Sequence, residues 1–249
     1  MPDFKKGPPR PLFSLPPPPR LQARHQAPTS EPISTLASAG EIQDAGAPMS
    51  DESVKSVKNA MSNVIEFLAT RRSVTAKTMQ VGRVNPEHLE QILTAGIRVP
   101  DHGALKPWKL VVINGEARAR LDHDVIHAEF IAANPDAKPE VEAIEAGRLQ
   151  RADVVIAVIS SPVEHPTIDP WEMQLSAGAV CTTLLYAAQS FGYAAQWLTE
   201  WYAYNDRMLT ELGGTPGHDR IAGFIYIGEK VKPPMERTRP DPATVISRL

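Results

Sequence analysis

The chain has 249 residues, a hydrophobic fraction of 42%, a formal net charge of −3 and one cysteine. The hydrophobic fraction is enough for a globular core, and the slight negative charge argues against nucleic acid or an anionic membrane as partner. One cysteine excludes an internal disulfide and favours a reducing compartment. The basic N-terminus lacks the apolar segment of a secretory signal, and no apolar run approaches the roughly 18 residues of a membrane span. The composition therefore predicts a soluble, cytoplasmic protein.

Residues 1–60 differ in composition from the rest of the chain. Their prolines, among them the run 16–19, favour extended and solvated backbone, and few large apolar side chains are available to offset the entropy lost on ordering. We therefore expect a disordered, proline-rich extension over residues 1–60 and one folded domain over residues 61–249. A proline-rich ligand for a partner domain is the functional alternative for the extension, whose composition favours an unstructured tail.

Apolar spacing along the folded part predicts helices and strands in mixed order. The first helix carries apolar residues at helical spacing from Val64 onward and runs into Arg71. A second helix begins at Asn85 and Pro86, a capping residue followed by proline in the first turn. Further helices are predicted over residues 116–132, 139–150, 171–191 and 205–212, and strands over 108–113, 152–159 and 221–228, with a short extended stretch over 192–199. Strict strand–helix alternation is missing, so we predict an α+β fold with a sheet flanked by helices.

Two of these segments are predicted to be buried. Residues 152–159 are almost continuously apolar, the pattern of a strand covered on both faces of a sheet. The helix over residues 171–191 is apolar or small on nearly every side, which indicates a core helix. On this helix, Gly178 would let another helix, such as that of a second subunit, approach closely, and Cys181 is expected to be packed rather than reactive.

Several motifs of known chemistry are absent from the sequence. No Gly-x-Gly-x-x-Gly follows a predicted strand, no phosphate-binding loop of the GxxxxGK[ST] type is present, and no serine lies in a nucleophile elbow. His123 and His127 are spaced for a shared metal ion. They lack a third ligand nearby, and Asp122 and Asp124 suggest a solvated helix face, so we predict no metal site.

The loop over residues 98–108 carries the densest group of candidate binding residues. It lies between a predicted helix and a predicted strand, and its prolines, glycine and aspartate explain the turn of the backbone. Loops held between rigid elements often carry binding groups, and this one contains His102, Lys106 and Trp108. A plain connecting loop is the alternative.

Basic side chains and one hydroxyl form a second set of candidates, although they are far apart in sequence. Guanidinium groups and a hydroxyl suit a phosphate monoester, which accepts several charge-assisted hydrogen bonds at once. A solvated pair of arginines at a helix end is the alternative for the first members of the set. The set consists of Arg71, Arg72, Ser73, Lys106, Arg237 and Arg239.

Taken together, the order and spacing of these residues resemble the nitroreductase family of FMN-dependent oxidoreductases, and most closely its YdjA-like branch of NAD(P)H nitroreductases. The similarity covers residues 64–242 and leaves out the N-terminal extension. The matching segments are RRS at 71–73, AGxRVPDHG at 95–103 followed by PW at 107–108, WE at 171–172 with SAG at 176–178, FG at 191–192 with QWLT at 196–199, GFIYIG at 223–228, and RxRP at 237–240.

The resemblance implies a three-layer sandwich in which helices flank a central, mostly antiparallel sheet. It also implies a domain-swapped-type homodimer that holds FMN at the subunit interface, much of which the helix 171–191 would form. Three groups of residues would bind the cofactor. The ribityl phosphate would contact Arg71, Arg72, Ser73, Arg237 and Arg239. His102 and Lys106 would reach the flavin that is bound mainly by the other subunit. Trp197, Leu198 and Thr199 would run past the flavin ring on its own subunit.

The implied activity is transfer of hydride from NAD(P)H through FMN to a nitroaromatic, quinone or similar small electron-poor acceptor in a ping-pong cycle. The flavin carries most of this chemistry, so no side chain is assigned as catalytic. Many relatives have a lysine where this chain has Thr75, and either Lys106 or Arg72 could supply that charge near the flavin N1–O2 edge. Alternatives on the same fold are an FMN-dependent dehydrogenase, dehalogenase or flavin-modifying enzyme, or a flavin-binding dimer without turnover.

Overall fold

The computed structural model describes residues 63–82 and 84–249. The predicted proline-rich extension over residues 1–60 lies outside the described residues. The described chain opens in a helix over residues 63–70, here called α1. The later helices are α2 (Pro86–Gly96), α3 (Glu116–Leu121), α4 (Ala128–Ala133), α5 (Pro139–Glu145), α6 (Pro170–Ser190) and α7 (Asp206–Glu211). The strands are β1 (Met79–Gln80), β2 (Trp108–Asn114), β3 (Val154–Ser160), β4 (Ala194–Leu198) and β5 (Arg220–Lys230).

The five strands form one antiparallel sheet with β5 at its centre. On one side β5 pairs with β3, which in turn pairs with β2. On its other side β5 pairs with β4 over most of its second half and with β1 at its end. Helices cover both faces, so the predicted α+β architecture with a flanked antiparallel sheet is confirmed.

Strand β3 shows why the sheet is buried on both faces. Val154, Ile156 and Val158 point into the apolar cluster beneath α2 and α6, whereas Val155 and Ala157 point into the cluster on the opposite face. All seven residues of the strand are buried. A continuous apolar run is the pattern that two covered faces require, and the prediction of a doubly buried strand is confirmed.

Helix starts follow capping chemistry. The side chain of Asn85 accepts hydrogen bonds from the backbone N–H groups of Glu87 and His88, at 2.7 and 3.4 Å, and Pro86 occupies the first turn. These bonds satisfy backbone donors that have no partner within the helix. The predicted start of α2 is therefore confirmed.

Two predicted helices differ in detail from expectation, the first in its hydrogen-bond pattern and the second in its length. The helix over 116–132 is interrupted by a π-helical turn, Asp122–His127, and the helix over 139–150 ends at Glu145. The second difference involves Asp122, whose carboxylate accepts hydrogen bonds from the backbone N–H groups of Leu149 and Gln150 at 2.8 and 3.2 Å. Because these N–H groups bond to a side chain, they do not continue the helix.

The same contacts overturn the prediction that Asp122 faces solvent. Its side chain is fully buried, while that of Asp124 is exposed as expected. Burial raises the pKa of Asp122 to about 6, although the hydrogen bonds from Leu149 and Gln150 oppose the shift. Within the described residues, no helix has the length and apolar character needed to cross a membrane.

Candidate functional site

A polar cavity of about 340 Å³ lies where the segment after α1 meets the C-terminal segment of the chain. We call it the basic cavity. It brings together five of the ten residues that the sequence singled out, from opposite ends of the folded part: Arg71, Arg72, Ser73, Arg237 and Arg239. Its remaining lining residues are Thr75, Gln196, Thr238 and Pro240.

Helix α6 holds Arg71 in place. The Nε of Arg71 donates to Oε1 of Gln189 at 2.9 Å, and one Nη donates to Oγ of Ser73 at 3.2 Å. The guanidinium also lies over the ring of Tyr186, 5.5 Å from its centre. Gln189 in turn donates to the carbonyl of Arg72 at 2.8 Å. Gln189 was not a sequence candidate, since a single glutamine near the end of an apolar helix carries no motif.

Arg72 has an unused donor. One of its Nη atoms donates to the carbonyl of Met235 at 2.9 Å, which ties the end of α1 to the C-terminal segment. Its Nε is buried and has no hydrogen-bond partner in the part of the chain that the structure describes. Buried polar groups are normally paired, so a donor of this kind indicates a missing acceptor. An anion with several oxygens, such as a phosphate monoester, fits a cavity lined with guanidinium groups.

An exposed carboxylate lies among these arginines. Oε1 of Glu236 is 3.1 Å from an Nη of Arg239 and 3.6 Å from Nε of Arg72. A hydrogen bond from the backbone N–H of Arg237, together with the nearby charges of Arg239 and Arg72, lowers the pKa of Glu236. No sequence pattern selects Glu236, which lies next to the candidate arginines but has the opposite charge.

The floor of the basic cavity is fixed by contacts to β4. Oε1 of Gln196 accepts from the backbone N–H of Ala76 at 2.6 Å, and the N–H of Val74 donates to the carbonyl of Ala195 at 3.1 Å. These bonds hold Thr75 against the cavity wall. The positive charge of the cavity therefore comes from its arginines.

His102 and Lys106 lie in a different place. They belong to the loop between α2 and β2, as predicted, and neither lines the basic cavity. Nδ1 of His102 is 2.9 Å from Oε2 of Glu172 in the first turn of α6, and the two residues share a separate cavity of about 280 Å³. The backbone N–H of Lys106 donates to Oδ2 of Asp101 at 2.8 Å.

The backbone of this loop is strained. Ala104 and Lys106 both have φ of 53°, in the left-handed region that residues with a Cβ avoid at a cost of roughly 1–2 kcal/mol each. Gly103, with φ of 72°, adopts the same region without that cost. Strain of this kind persists where surrounding structure enforces it, and it is concentrated at functional sites.

Trp197, Leu198 and Thr199 lie at the end of β4. Nε1 of Trp197 donates to the carbonyl of Ala222 at 3.1 Å, so that the indole lies across β5. Gly223 makes this possible, because a Cβ added there would overlap the indole ring. Within the described residues β4 pairs with β5 alone. At its other edge, the backbone hydrogen bond is the one that the carbonyl of Ala195, near the start of the strand, accepts from Val74.

Other candidates have structural explanations. Cys181 is buried, and burial raises the pKa of its thiol to about 12, so it remains protonated and packed as predicted. The rings of His123 and His127 are 6.4 Å apart. Among the described residues, no group of three or more His, Cys, Asp or Glu side chains is arranged to hold a metal ion.

Comparison with known proteins identifies the family. Residues 68–229 match the model of the nitroreductase family. The chain is 32% identical over 192 residues to a protein of Escherichia coli K12 with the provisional name NAD(P)H nitroreductase YdjA, covering 74% of this chain and 98% of that protein. It is also 32% identical over 171 residues to a Haemophilus influenzae protein with the provisional name NAD(P)H nitroreductase, covering 67% and 88%.

Solved structures share the fold. A nitroreductase-like family protein from Bacillus cereus has a TM-score of 0.63 and 23% identity, covering 75% of this chain and 95% of that one. A Bacteroides fragilis nitroreductase with bound FMN has a TM-score of 0.55 and 18% identity, covering 75% and 98%. The match over residues 68–229 and the identity to the Escherichia coli protein show that this chain belongs to the nitroreductase family.

Proposed function

We propose that this protein is an FMN-dependent oxidoreductase that uses NAD(P)H to reduce nitroaromatics, quinones or similar electron-poor small molecules in a ping-pong cycle. The observation that supports it best is the basic cavity, where the buried Nε of Arg72 has no hydrogen-bond partner among the described residues. The provisional names of the two bacterial relatives and the FMN bound to the Bacteroides fragilis protein agree with it.

The basic cavity fits the phosphate of FMN. Arg71, Arg72, Arg237 and Arg239 would supply charge-assisted hydrogen bonds, and Ser73 would supply a hydroxyl. Part of this arrangement is preorganised, because Arg71 is already held by Gln189. Preorganised donors bind more tightly, since the entropy of ordering them is lost on folding and not on binding.

When bound, FMN would supply the hydride chemistry between NAD(P)H and the acceptor. The chain's part is to bind and orient. Trp197 would form a wall beside the ring, with Leu198 and Thr199 continuing along the exposed end of β4. Lys106 or Arg72 would provide positive charge near the N1–O2 edge, where a preorganised charge stabilises an anionic ring. No side chain is proposed as a general acid or base.

The protein is also proposed to work as a homodimer. The side chains of Trp171 and Leu175 on α6 are 62% and 54% exposed, and α1 exposes Val64 and Ile65. Large exposed apolar side chains are typical of surfaces that another molecule covers. Since His102 contacts the first turn of α6, a second copy on this helix would bring its own His102 and Lys106 close to the interface.

Two substitutions that should change FMN affinity in opposite directions test the phosphate site. Arg72→Gln removes the donor that has no hydrogen-bond partner and should weaken FMN binding at least tenfold, the effect of about one charge-assisted hydrogen bond. Glu236→Gln removes the competing carboxylate and should strengthen binding roughly two- to fivefold at low salt, and less at high salt. Quenching of FMN fluorescence on titration into cofactor-free protein measures both. Binding that weakens equally in both variants would contradict the assignment of this cavity.

The reaction itself needs a separate test. Anaerobic mixing of the FMN-loaded protein with NADH or NADPH should bleach the flavin absorbance, and addition of a nitroaromatic or quinone should restore it. Sedimentation of the same preparation should show two chains per particle. A colourless protein that does not take up FMN and sediments as one chain would refute the proposal, whereas FMN that neither nucleotide reduces would favour another activity on this fold.

A further inference from the structure

A second cavity, of about 250 Å³, lies between α6 and the ends of β3 and β5. We call it the α6–β5 cavity. One wall is the indole of Trp197, which the proposed function places beside the flavin ring. None of its other lining residues belongs to the proposed FMN site: Ser160, Pro162, Gln174, Gly178, His218, Arg220, Ile221 and Ala222.

A buried carboxylate next to the cavity is already neutralised. Asp219 is 3% exposed, and its carboxylate oxygens lie 2.7 Å from Nδ1 of His218 and 3.3 Å from Nζ of Lys109. The backbone N–H of Thr215 donates to it as well, at 3.0 Å. Burial alone would raise the pKa of Asp219, but hydrogen bonds from Ser161, His218, Thr215 and Lys109 hold it at about 2. The negative charge is therefore paired within the protein.

The groups that face the cavity are mostly hydrogen-bond donors that lack partners. Oγ of Ser160 is buried and has no hydrogen-bond partner within the described chain. Arg220, the Cα partner of Ser160 across the β3–β5 pair, makes no salt bridge to any described residue. Gln174 adds an amide from α6. A guanidinium and a hydroxyl beside a flat indole suit a planar ligand that carries an anionic group.

We propose that the α6–β5 cavity binds the carboxylate of a small aromatic electron acceptor, with Arg220 as its ion partner and Ser160 as a hydrogen-bond donor. This proposal rests on the proposed function, because Trp197 connects the cavity to the flavin. The volume favours a single substituted ring, since sites for larger ligands enclose roughly 300–1,000 Å³. An anionic group could also be a phosphate of the nicotinamide nucleotide, and the experiment separates the two.

Binding without turnover is measured first. Calorimetric titration with benzoate and with benzamide, a neutral molecule of similar shape, should show that the purified protein binds benzoate more tightly. Arg220→Gln should weaken benzoate binding about tenfold and leave benzamide binding unchanged. The matched control is Arg120→Gln, which removes the same charge from an exposed pair with Glu211 and should change neither affinity.

Kinetics of the FMN-loaded protein then identify the ligand. After reduction by dithionite, reoxidation by 4-nitrobenzoate should be slower in Arg220→Gln than in the wild type, and reoxidation by 4-nitrobenzamide should be unchanged. Equal binding of benzoate and benzamide by the wild type, or an equal loss for both in the variant, would overturn the proposal. So would slower reduction by NADPH with unchanged reoxidation, which would assign Arg220 to the nucleotide phosphate. The benzoate titration needs no flavin, so a failure of the proposed FMN chemistry remains distinguishable.

Discussion

The two faces of the sheet are covered by different chemistry. Beneath α2 and α6 the buried groups are mostly apolar side chains, together with Cys181 and the hydroxyls of Ser160 and Ser176. The opposite face has an apolar cluster too, but charged and phenolic groups are buried in and around it. The buried ones are Asp122, Glu145, Tyr202 and Tyr226, and the half-buried ones beside them are Arg148, Arg151 and Glu200.

The difference teaches which face is free to bind another molecule. Buried polar groups need partners at fixed positions, as in the 2.6 Å bond between the hydroxyls of Tyr202 and Tyr226, and so they specify one arrangement. Apolar contacts are not directional. The α6 face combines a packed inner side with an exposed outer side, where the proposed dimer contact lies. The α6–β5 cavity is at its edge, between α6 and the ends of β3 and β5.

The largest effect on stability is expected from a substitution at Arg148, on the polar face of the sheet. Arg148 forms ion pairs with Glu145 and, at 2.8 Å, with Glu200. The side chain of Glu145 is 6% exposed, so Arg148→Met would leave a buried carboxylate without its ion partner. We expect the free energy of unfolding in urea to fall by about 3 kcal/mol at fixed protein concentration. Arg120→Met, which breaks the exposed pair with Glu211, should lower it by less than about 1 kcal/mol. Equal losses would remove the distinction between buried and exposed pairs.

Asp122, on the same face, should make the free energy of unfolding depend on pH. Its pKa of about 6 in the folded state lies above the usual value of 3.8, so the folded state holds the proton more tightly than the unfolded state does. Stability from this group is present below pH 4 and is lost as the pH rises through 6. Relative to Asp122→Asn, in which this side chain cannot ionise, the free energy of unfolding of the wild type should fall by up to about 3 kcal/mol between pH 4 and 7. Urea unfolding of both proteins across this range measures it, and a constant difference would contradict the raised pKa.

The apolar face is tested at Gly96, where α2 crosses α6. A Cβ at this position would overlap Leu184, which is fully buried and cannot move into solvent. We expect Gly96→Ala to lower the free energy of unfolding by about 2 kcal/mol. Leu184→Ala makes room for the added methyl group. The double variant should therefore lose less free energy of unfolding than the sum of the losses in the two single variants. Strict additivity would show that the two residues are not in contact.

The smallest effect on the folded chain is expected at Gly178, on the outer side of α6. No atom of the described chain lies within 4 Å of an added Cβ there, and alanine is better than glycine in a helix interior by about 0.5–1 kcal/mol. The chain's own fold should therefore not lose stability in Gly178→Ala. If a second copy packs closely on this helix, the dissociation constant of the dimer should rise about tenfold in Gly178→Ala, as measured by sedimentation. An unchanged constant would place the contact elsewhere.

Local patterns were enough to predict most elements. The Asn85–Pro86 start of α2 depends on neighbouring residues, and the burial of β3 follows from its unbroken apolar run. The burial of Asp122 was missed because its cause is not local. The backbone group that bonds this carboxylate lies 27 residues away, at Leu149, and nothing near Asp122 in the sequence records that approach.

The sequence by itself determined the types of the main elements, the family and the set of basic residues suited to a phosphate, because periodicity, capping and motif spacing are properties of the chain. Only the tertiary structure decided which candidates meet. It joined Arg71 and Arg72 to Arg237 and Arg239, and it placed His102 beside Glu172 instead. It also showed that Gln189 and Glu236 belong to the same cluster, because contacts between distant segments depend on sheet register and on how α6 packs.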